Sequence, residues 1–135
     1  MDFIESGVLS GEVLPILLGN STEGFAFAHR VFRSSKSTSH VFCEKPPFLS
    51  PFLSWLEFHT IPKTLDDRLL CEALLDFASQ YQHTDTILYL IPCTERYAGM
   101  LWYHGAKLES HFVIGDTVPF AATWLEKGRL KGGDV

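Results

Sequence analysis

The chain has 135 residues, of which 46% are hydrophobic and 20% charged, and its formal net charge at pH 7 is −5. This length suits one domain with its own core, and this composition excludes a disordered chain. The negative charge, with no stripe of lysine and arginine to offset it, argues against nucleic acid as a partner.

The first recognisable unit, residues 13–32, predicts a strand, a tight turn and a helix, after a lead-in over residues 1–12. The apolar run 14–18 is typical of a strand that helices cover on both faces, and Gly19 marks the turn. Asn20 is expected to cap the helix, with Glu23 in the capping-box position. The apolar face of this helix is predicted from residues at helical spacing: Phe25, Ala28, Val31 and Phe32.

A polar connector over residues 34–39 leads to a short second strand, His40 to Cys43, which ends at Glu44. The next apolar stretch, residues 48–56, contains a proline and two serines. A short helix beneath the edge of the sheet is favoured there over an exposed partner-binding patch, because most large apolar side chains join the core. Residues 58–61 are interpreted as a third strand.

The clearest helix is predicted over residues 64–81, with Thr64 as its cap. A second strongly apolar strand follows at residues 86–91, and Thr94 is placed to cap another helix. Residues 111–114 predict a last strand. Residues 115–135 predict a loop, a final helix over 120–130 and a mobile tail.

Strands that alternate with helices, two of them without polar alternation, predict a three-layer α/β sandwich with a mainly parallel sheet. In such folds ligands bind at the carboxyl edge of the sheet, beside helix N-termini. We therefore expect a single domain over 1–135, with a binding site formed by two turns at that edge. The candidate site residues are Gly19, Asn20 and Ser21 in the first turn and Thr94, Glu95 and Arg96 in the second.

Two nucleotide-binding patterns are incomplete. Gly19 and Gly24 have the spacing of a phosphate loop, but Phe25 and Ala26 stand where lysine and serine or threonine are needed. Glu44 follows the second strand where a ribose-binding acid would lie, yet the Gly-x-Gly-x-x-Gly pattern is absent. A capped turn without a dinucleotide is therefore the preferred interpretation.

The histidines and cysteines offer weaker candidates. His40 and Cys43 could form one pair of metal ligands, but no second closely spaced pair completes a site, which favours scattered histidines and no metal. Cys93 could be a nucleophile because it precedes a helix N-terminus, although a buried structural cysteine is more frequent. The wide spacing of Cys43, Cys71 and Cys93 favours free thiols in a reducing cytoplasm.

Glu95 and Arg96 follow a buried strand directly, so they could bind the amino and carboxylate groups of a small substrate. The alternative is that Glu95 only complements the helix dipole and that Arg96 is solvated. The sequence leaves both interpretations open. The first residues lack the pattern of a signal peptide, and no apolar run is long enough for a membrane helix, so a cytoplasmic protein that binds no membrane is expected.

The pattern over residues 13–114 resembles the N-terminal, Rossmann-like pre-ATP-grasp domain of ATP-grasp carboxylate-amine ligases, a domain also found at the start of carbamoyl-phosphate synthases and biotin carboxylases. The resemblance rests on a set of short segments: Leu17-Leu18-Gly19 before a helix, residues 58–62, the long helix from Thr64, the strand that ends in Pro92-Cys93-Thr94-Glu95, and residues 108–114.

The resemblance implies that this domain contributes substrate contacts and a domain interface but no catalytic residues. Asn20, Ser21, Thr94, Glu95 and Arg96 would face the substrate cleft, and ATP and magnesium would bind in ATP-grasp domains of the same or another chain. The implied substrate is a small amino-acid-like carboxylate. The alternative is a stand-alone binding or self-assembly module, for instance a homodimer that associates through the sheet edge or through residues 48–58.

Overall fold

A computed structural model describes residues 12–61 and 66–115. The elements follow one another in the order β1 (Val13–Leu18), α1 (Thr22–Ser35), β2 (Ser39–Cys43), a 3₁₀ turn (Ser50–Phe52), β3 (Leu56–Thr60), α2 (Asp67–Ser79), β4 (Ile87–Pro92), α3 (Glu95–Leu108) and β5 (Val113–Ile114). Strands thus alternate with helices, as the sequence predicts.

The five strands form one parallel sheet in the order β3-β2-β1-β4-β5. Helix α1 packs on one face of the sheet, and helices α2 and α3 pack on the other. Strands β1 and β4 lie side by side in the centre, where fully buried Ile16, Leu17, Leu90 and Ile91 fill both layers of core. The predicted three-layer α/β sandwich is confirmed, and its arrangement is Rossmann-like.

The chain reverses its direction of winding between β1 and β4. Strand β2 lies on one side of β1, and β4, which comes after β3 in the chain, lies on the other. The turns after β1 and β4 therefore diverge to opposite faces of the sheet and leave a gap at its carboxyl edge. This gap is where the fold positions a binding site.

The apolar face of α1 differs from the predicted one. Phe27 is fully buried together with Ala28 and Val31, whereas Phe25 and Phe32 are only half-buried. The side chains of successive helical residues point about 100° apart. An apolar face that is predicted one or two residues out of phase therefore lies beside the face that is buried. The central residue of this layer was therefore not among those predicted.

The boundaries of α2 also differ. Its cap is Asp66, whose Oδ1 accepts hydrogen bonds from the N–H groups of Arg68 at 3.0 Å and Leu69 at 3.4 Å. The prediction that Thr64 caps this helix is wrong, and Thr64 itself lies outside the described residues. The predicted final helix and tail (116–135), like residues 1–11 of the predicted lead-in, also lie outside them.

The first half of the apolar stretch after β2 does not join the core. Phe48, which precedes the 3₁₀ turn, is 94% exposed, Phe52 at the end of the turn is 76% exposed, and Leu49 is exposed as well. Leu53 and Trp55 pack against the core instead, and the Trp55 indole N–H donates to the carbonyl of Phe25 at 3.3 Å. The expectation that this whole stretch joins the core is therefore wrong for its first half.

Candidate functional site

A crevice of about 420 Å³ opens at the carboxyl edge of the sheet. Its walls come from the turns that follow β1, β2 and β4 and from the first turn of α3. The lining residues are Gly19, Asn20, Cys43, Glu44, Lys45, Thr94 and Tyr97. The crevice thus lies where the winding of the chain reverses, as expected for a Rossmann-like domain.

The turn after β1 depends on Gly19. Its φ is +93°, a backbone conformation that residues with a Cβ atom rarely adopt. Its N–H donates to the carbonyl of Phe42 at 2.9 Å. A Cβ atom at this position would lie 2.8 Å from the ring of Tyr97. Gly19 therefore allows the aromatic ring of α3 to pack directly against the turn.

Ser21 rather than Asn20 caps α1. The Ser21 Oγ accepts the N–H of Gly24 at 2.8 Å, which satisfies one of the free donors in the first turn of the helix. The prediction for Asn20 was therefore wrong by one residue. The Asn20 amide instead donates to the carbonyl of Lys45 at 2.8 Å, and so it ties the turn after β1 to the turn after β2.

Thr94 caps α3 as predicted, because its Oγ1 accepts the N–H of Tyr97 at 3.3 Å. Its neighbours do not belong to the crevice: neither Glu95 nor Arg96 is among the described residues that line it. Arg96 extends towards α2, where its Nη2 lies 3.7 Å from Oδ1 of Asp67, and its guanidinium lies 4.9 Å from the centre of the Tyr97 ring. The structure therefore brings Gly19, Asn20 and Thr94 together in the crevice, whereas the other predicted residues, Ser21, Glu95 and Arg96, are not among those that line it.

The charged residues of the crevice are Glu44 and Lys45, which the sequence did not identify as a pair. Both are exposed and follow β2, the neighbour of β1. The sequence does indicate that Glu44 follows a predicted strand. Placing Glu44 in the crevice also requires knowing that this strand, β2, pairs with β1. The sequence does not identify Tyr97 as a site residue, because an aromatic residue in the first turn of a helix gives no indication of which residues it contacts in the fold.

Cys93 does not have the properties of a nucleophile. Its side chain is only 3% exposed, and burial raises the pKa of its thiol from 9.0 to about 11, despite a hydrogen bond with Ser21 that lowers it. A nucleophilic cysteine needs the opposite shift, because the thiolate is the reactive form. Cys93 instead packs against α1, where a Cβ on Gly24 would lie 2.7 Å from its sulfur.

The raised pKa of Cys93 predicts a loss of stability in alkaline solution. Between about pH 9 and pH 11 the unfolded chain loses the thiol proton while the folded chain keeps it, so the free energy of unfolding falls as the pH rises. At about 1.4 kcal/mol for each unit of pKa difference, the loss amounts to about 2 to 3 kcal/mol by pH 11. Urea unfolding at pH 8, 9, 10 and 11 measures it.

The matched control for this prediction is Cys93→Ala, which lacks the thiol but keeps every other group that titrates in this range. The variant should be less stable than the original chain at pH 8, and the difference between the two should shrink as the pH rises. Parallel pH dependence in the two proteins would contradict the assignment of the shift to Cys93.

The histidines are not all scattered. His40 and His59 converge with Glu57 on neighbouring strands, and their Nδ1 and Nε2 atoms are 2.8 Å apart. Burial lowers the pKa of His40, although the nearby Glu57 carboxylate acts in the opposite direction and raises it. The suggested pairing of His40 with Cys43 is wrong, because the two side chains lie on opposite faces of β2.

No helix in the described ranges combines the length and the apolarity that crossing a membrane requires. Comparison with known proteins returns no matching family model, no matching curated protein and no matching solved structure.

Proposed function

We propose that this chain is the substrate-binding domain of an ATP-grasp carboxylate-amine ligase and that it holds a small amino-acid-like carboxylate in the crevice at the carboxyl edge of its sheet. The observation that carries the proposal is the composition of that crevice. A carboxylate and an ammonium group, Glu44 and Lys45, stand beside the N-termini of two helices. The sequence pattern over residues 13–114 supports the ligase family.

The crevice matches an amino-acid-like ligand in charge. A ligand carboxylate is attracted by Lys45 and by the backbone N–H groups at the start of α1 and α3, where the helix dipoles are positive. A ligand ammonium group is attracted by Glu44. In this proposal, Glu44 and Lys45 do the work that the sequence suggested for Glu95 and Arg96.

The proposal separates binding from chemistry. ATP and magnesium bind to ATP-grasp domains of the same or another chain, and this domain presents the carboxylate that ATP phosphorylates before an amine displaces the phosphate. The described residues of the crevice then need to orient the substrate and to contact the neighbouring domain. Tyr97, 7% exposed, closes one wall of the crevice and limits the size of the ligand.

Calorimetry with a panel of free amino acids and dipeptides tests the proposal. We expect saturable binding of at least one zwitterionic ligand, and we expect Lys45→Gln to weaken it about tenfold or more, as the loss of one charge-assisted contact of about 1.5 to 3 kcal/mol implies. Lys107→Gln is the matched control, because it removes the same charge from the last turn of α3, far from the crevice.

Three outcomes would contradict the proposal. One is the absence of binding by every member of the panel, and another is equal weakening by Lys45→Gln and Lys107→Gln. The third is tight binding of Mg-ATP by these 135 residues alone, because the nucleotide belongs to other domains in this scheme.

A second candidate function is self-association, and a specific observation favours it. Phe48, Leu49 and Phe52 form an exposed apolar segment next to the crevice turn that follows β2. Sedimentation of the chain at increasing concentration, with Phe48→Ser/Phe52→Ser as the comparison, tests this function. A monomer at all concentrations would dismiss it.

A further inference from the structure

Three side chains with metal-binding atoms meet at the edge of the sheet, away from the crevice. His40 lies on β2, and Glu57 and His59 lie on the edge strand β3. The strands pair so that His40 is beside Glu57 and Phe42 is beside His59. Because residues two apart on a strand share a face, all three polar side chains project from the face that α2 covers.

The three atoms form a compact triangle. The Nδ1 of His40 lies 2.8 Å from the Nε2 of His59 and 3.0 Å from Oε2 of Glu57, and the third side, from His59 Nε2 to Glu57 Oε2, is 3.3 Å. The first two distances lie within the range of hydrogen bonds, and the third is slightly longer.

Hydrogen bonds alone cannot satisfy this triangle while the carboxylate is ionised. Each of its sides needs one donor and one acceptor, and the carboxylate can only accept. If both imidazoles donate to Glu57, two N–H groups face each other across 2.8 Å. If only one donates, a lone pair of the other imidazole faces the carboxylate oxygen. Every choice of tautomer therefore leaves one repulsive contact, which a bound cation would remove.

The dimensions of the triangle suit a transition-metal ion. Zinc binds imidazole nitrogen and carboxylate oxygen at about 2.0 to 2.1 Å, and two ligands of a tetrahedral site are then about 3.3 Å apart. A point about 2.05 Å from all three atoms lies about 1 Å outside their plane. An ion there keeps at least one coordination position free on the side away from the ligands.

The surroundings hold the two imidazoles in place. The ring of Phe42 stacks on His59 with centroids 4.6 Å apart and an angle of 12° between the planes. Phe77 of α2 packs edge-on against both imidazoles, with centroids 4.9 Å from His40 and 5.5 Å from His59. Packing of this kind fixes ligand orientation and limits water around a metal.

Access comes from the open edge of β3. Exposure increases across the cluster, from 12% for the His40 side chain through 30% for His59 to 60% for Glu57. The cluster is thus buried at one ligand and open at another, which lets an ion enter and leaves room for a water molecule or a substrate atom beside it.

We propose that His40 Nδ1, His59 Nε2 and Glu57 Oε2 form a binding site for a divalent transition-metal ion of the zinc type, with a coordination position open to solvent. Two imidazoles and one carboxylate are a ligand set typical of sites that keep an open position. The proposal is independent of the crevice, because none of the three residues lines it.

Titration of the metal-free chain with Zn²⁺, in competition with a chromophoric chelator, tests the site. We expect one high-affinity ion for each chain and a loss of at least about 100-fold in affinity for His59→Ala and for Glu57→Gln, because each removes one of three ligands. Glu57→Gln keeps the shape of an exposed side chain, so its folding is not in doubt. His83→Ala is the control, since His83 is exposed and lies outside the cluster.

Titration with Co²⁺ gives a second readout, because its visible absorption reports the number and type of ligands. We expect a spectrum of nitrogen and oxygen ligands that disappears in Glu57→Gln and stays in His83→Ala. Absence of stoichiometric binding in the original chain would overturn the proposal. So would affinity that Glu57→Gln and His59→Ala leave unchanged, or a thiolate absorption band, which would place the ion on cysteine.

Discussion

Replacing Gly19 with alanine is expected to lower the free energy of unfolding by about 2 to 5 kcal/mol. Adopting a positive φ costs a residue with a side chain about 1 to 2 kcal/mol, and the φ of Gly19 is +93°. The new Cβ would also lie 2.8 Å from the buried ring of Tyr97, and such overpacking costs about 1 to 3 kcal/mol more. Urea unfolding monitored by circular dichroism measures the total.

Gly99→Ala is the matched control for this prediction. Gly99 lies inside α3, and nothing comes within 4 Å of a Cβ placed there. The same substitution should therefore stabilise the protein by about 0.5 to 1 kcal/mol, because alanine has the higher helix propensity. A loss of stability at Gly19 together with a gain at Gly99 would show that the cost at Gly19 comes from its local geometry.

A double-mutant cycle with Tyr97→Ala separates the two causes. Without the ring, Gly19→Ala should cost only the backbone part, about 1 to 2 kcal/mol. If the cost of Gly19→Ala is the same with and without Tyr97, the proposed crowding against the ring is wrong. Because Tyr97 forms a wall of the crevice, the single Gly19→Ala variant should also bind the crevice ligand more weakly.

Phe27→Ala is expected to destabilise the domain by about 3 to 5 kcal/mol. Phe27 is the largest fully buried side chain in the described residues and lies at the centre of the layer between α1 and the sheet. Removing an aromatic ring from such a position loses its burial and leaves a cavity. Against a typical total of about 5 to 15 kcal/mol, the change would be visible in both thermal and urea unfolding.

Two further variants keep this prediction testable. Phe27→Leu retains most of the apolar volume and should cost less than about 1.5 kcal/mol, so it reports on the site even if Phe27→Ala fails to fold. Phe48→Ala removes the same ring from a position that is 94% exposed and should change stability by less than about 0.5 kcal/mol. A similar loss for Phe27→Ala and Phe48→Ala would contradict the burial of Phe27.

The sequence predicts those features of the fold that depend only on residues close together in the chain. The apolar runs of β1 and β4, the turn at Gly19 and the cap at Thr94 were predicted correctly. Each of these is a local property: hydrophobic period, backbone freedom and capping all act within a few residues. The α/β class followed from the alternation of these elements, and so did the edge of the sheet at which a crevice forms.

Local sequence patterns do not determine which residue caps α1 or which of its side chains are buried, because a shift of one residue changes both. Ser21 and Asn20 are both good caps, and only the packing of α1 on the sheet decides which of them precedes its first turn. The same packing of α1 on the sheet buries Phe27 in place of Phe25 and Phe32. Propensity assigns the helix, but the tertiary contacts fix its phase and its first residue.

Strand order and register were decided by the tertiary structure alone. Glu44 and Lys45 join the crevice because β2 pairs with β1, and His40 meets Glu57 because β2 and β3 pair in one particular register. Pairing depends on burial summed over whole strands, and a shift of one residue would turn these side chains to the other face. The sequence therefore determined which segments become strands and helices, whereas the pairing of the strands decided which polar side chains meet.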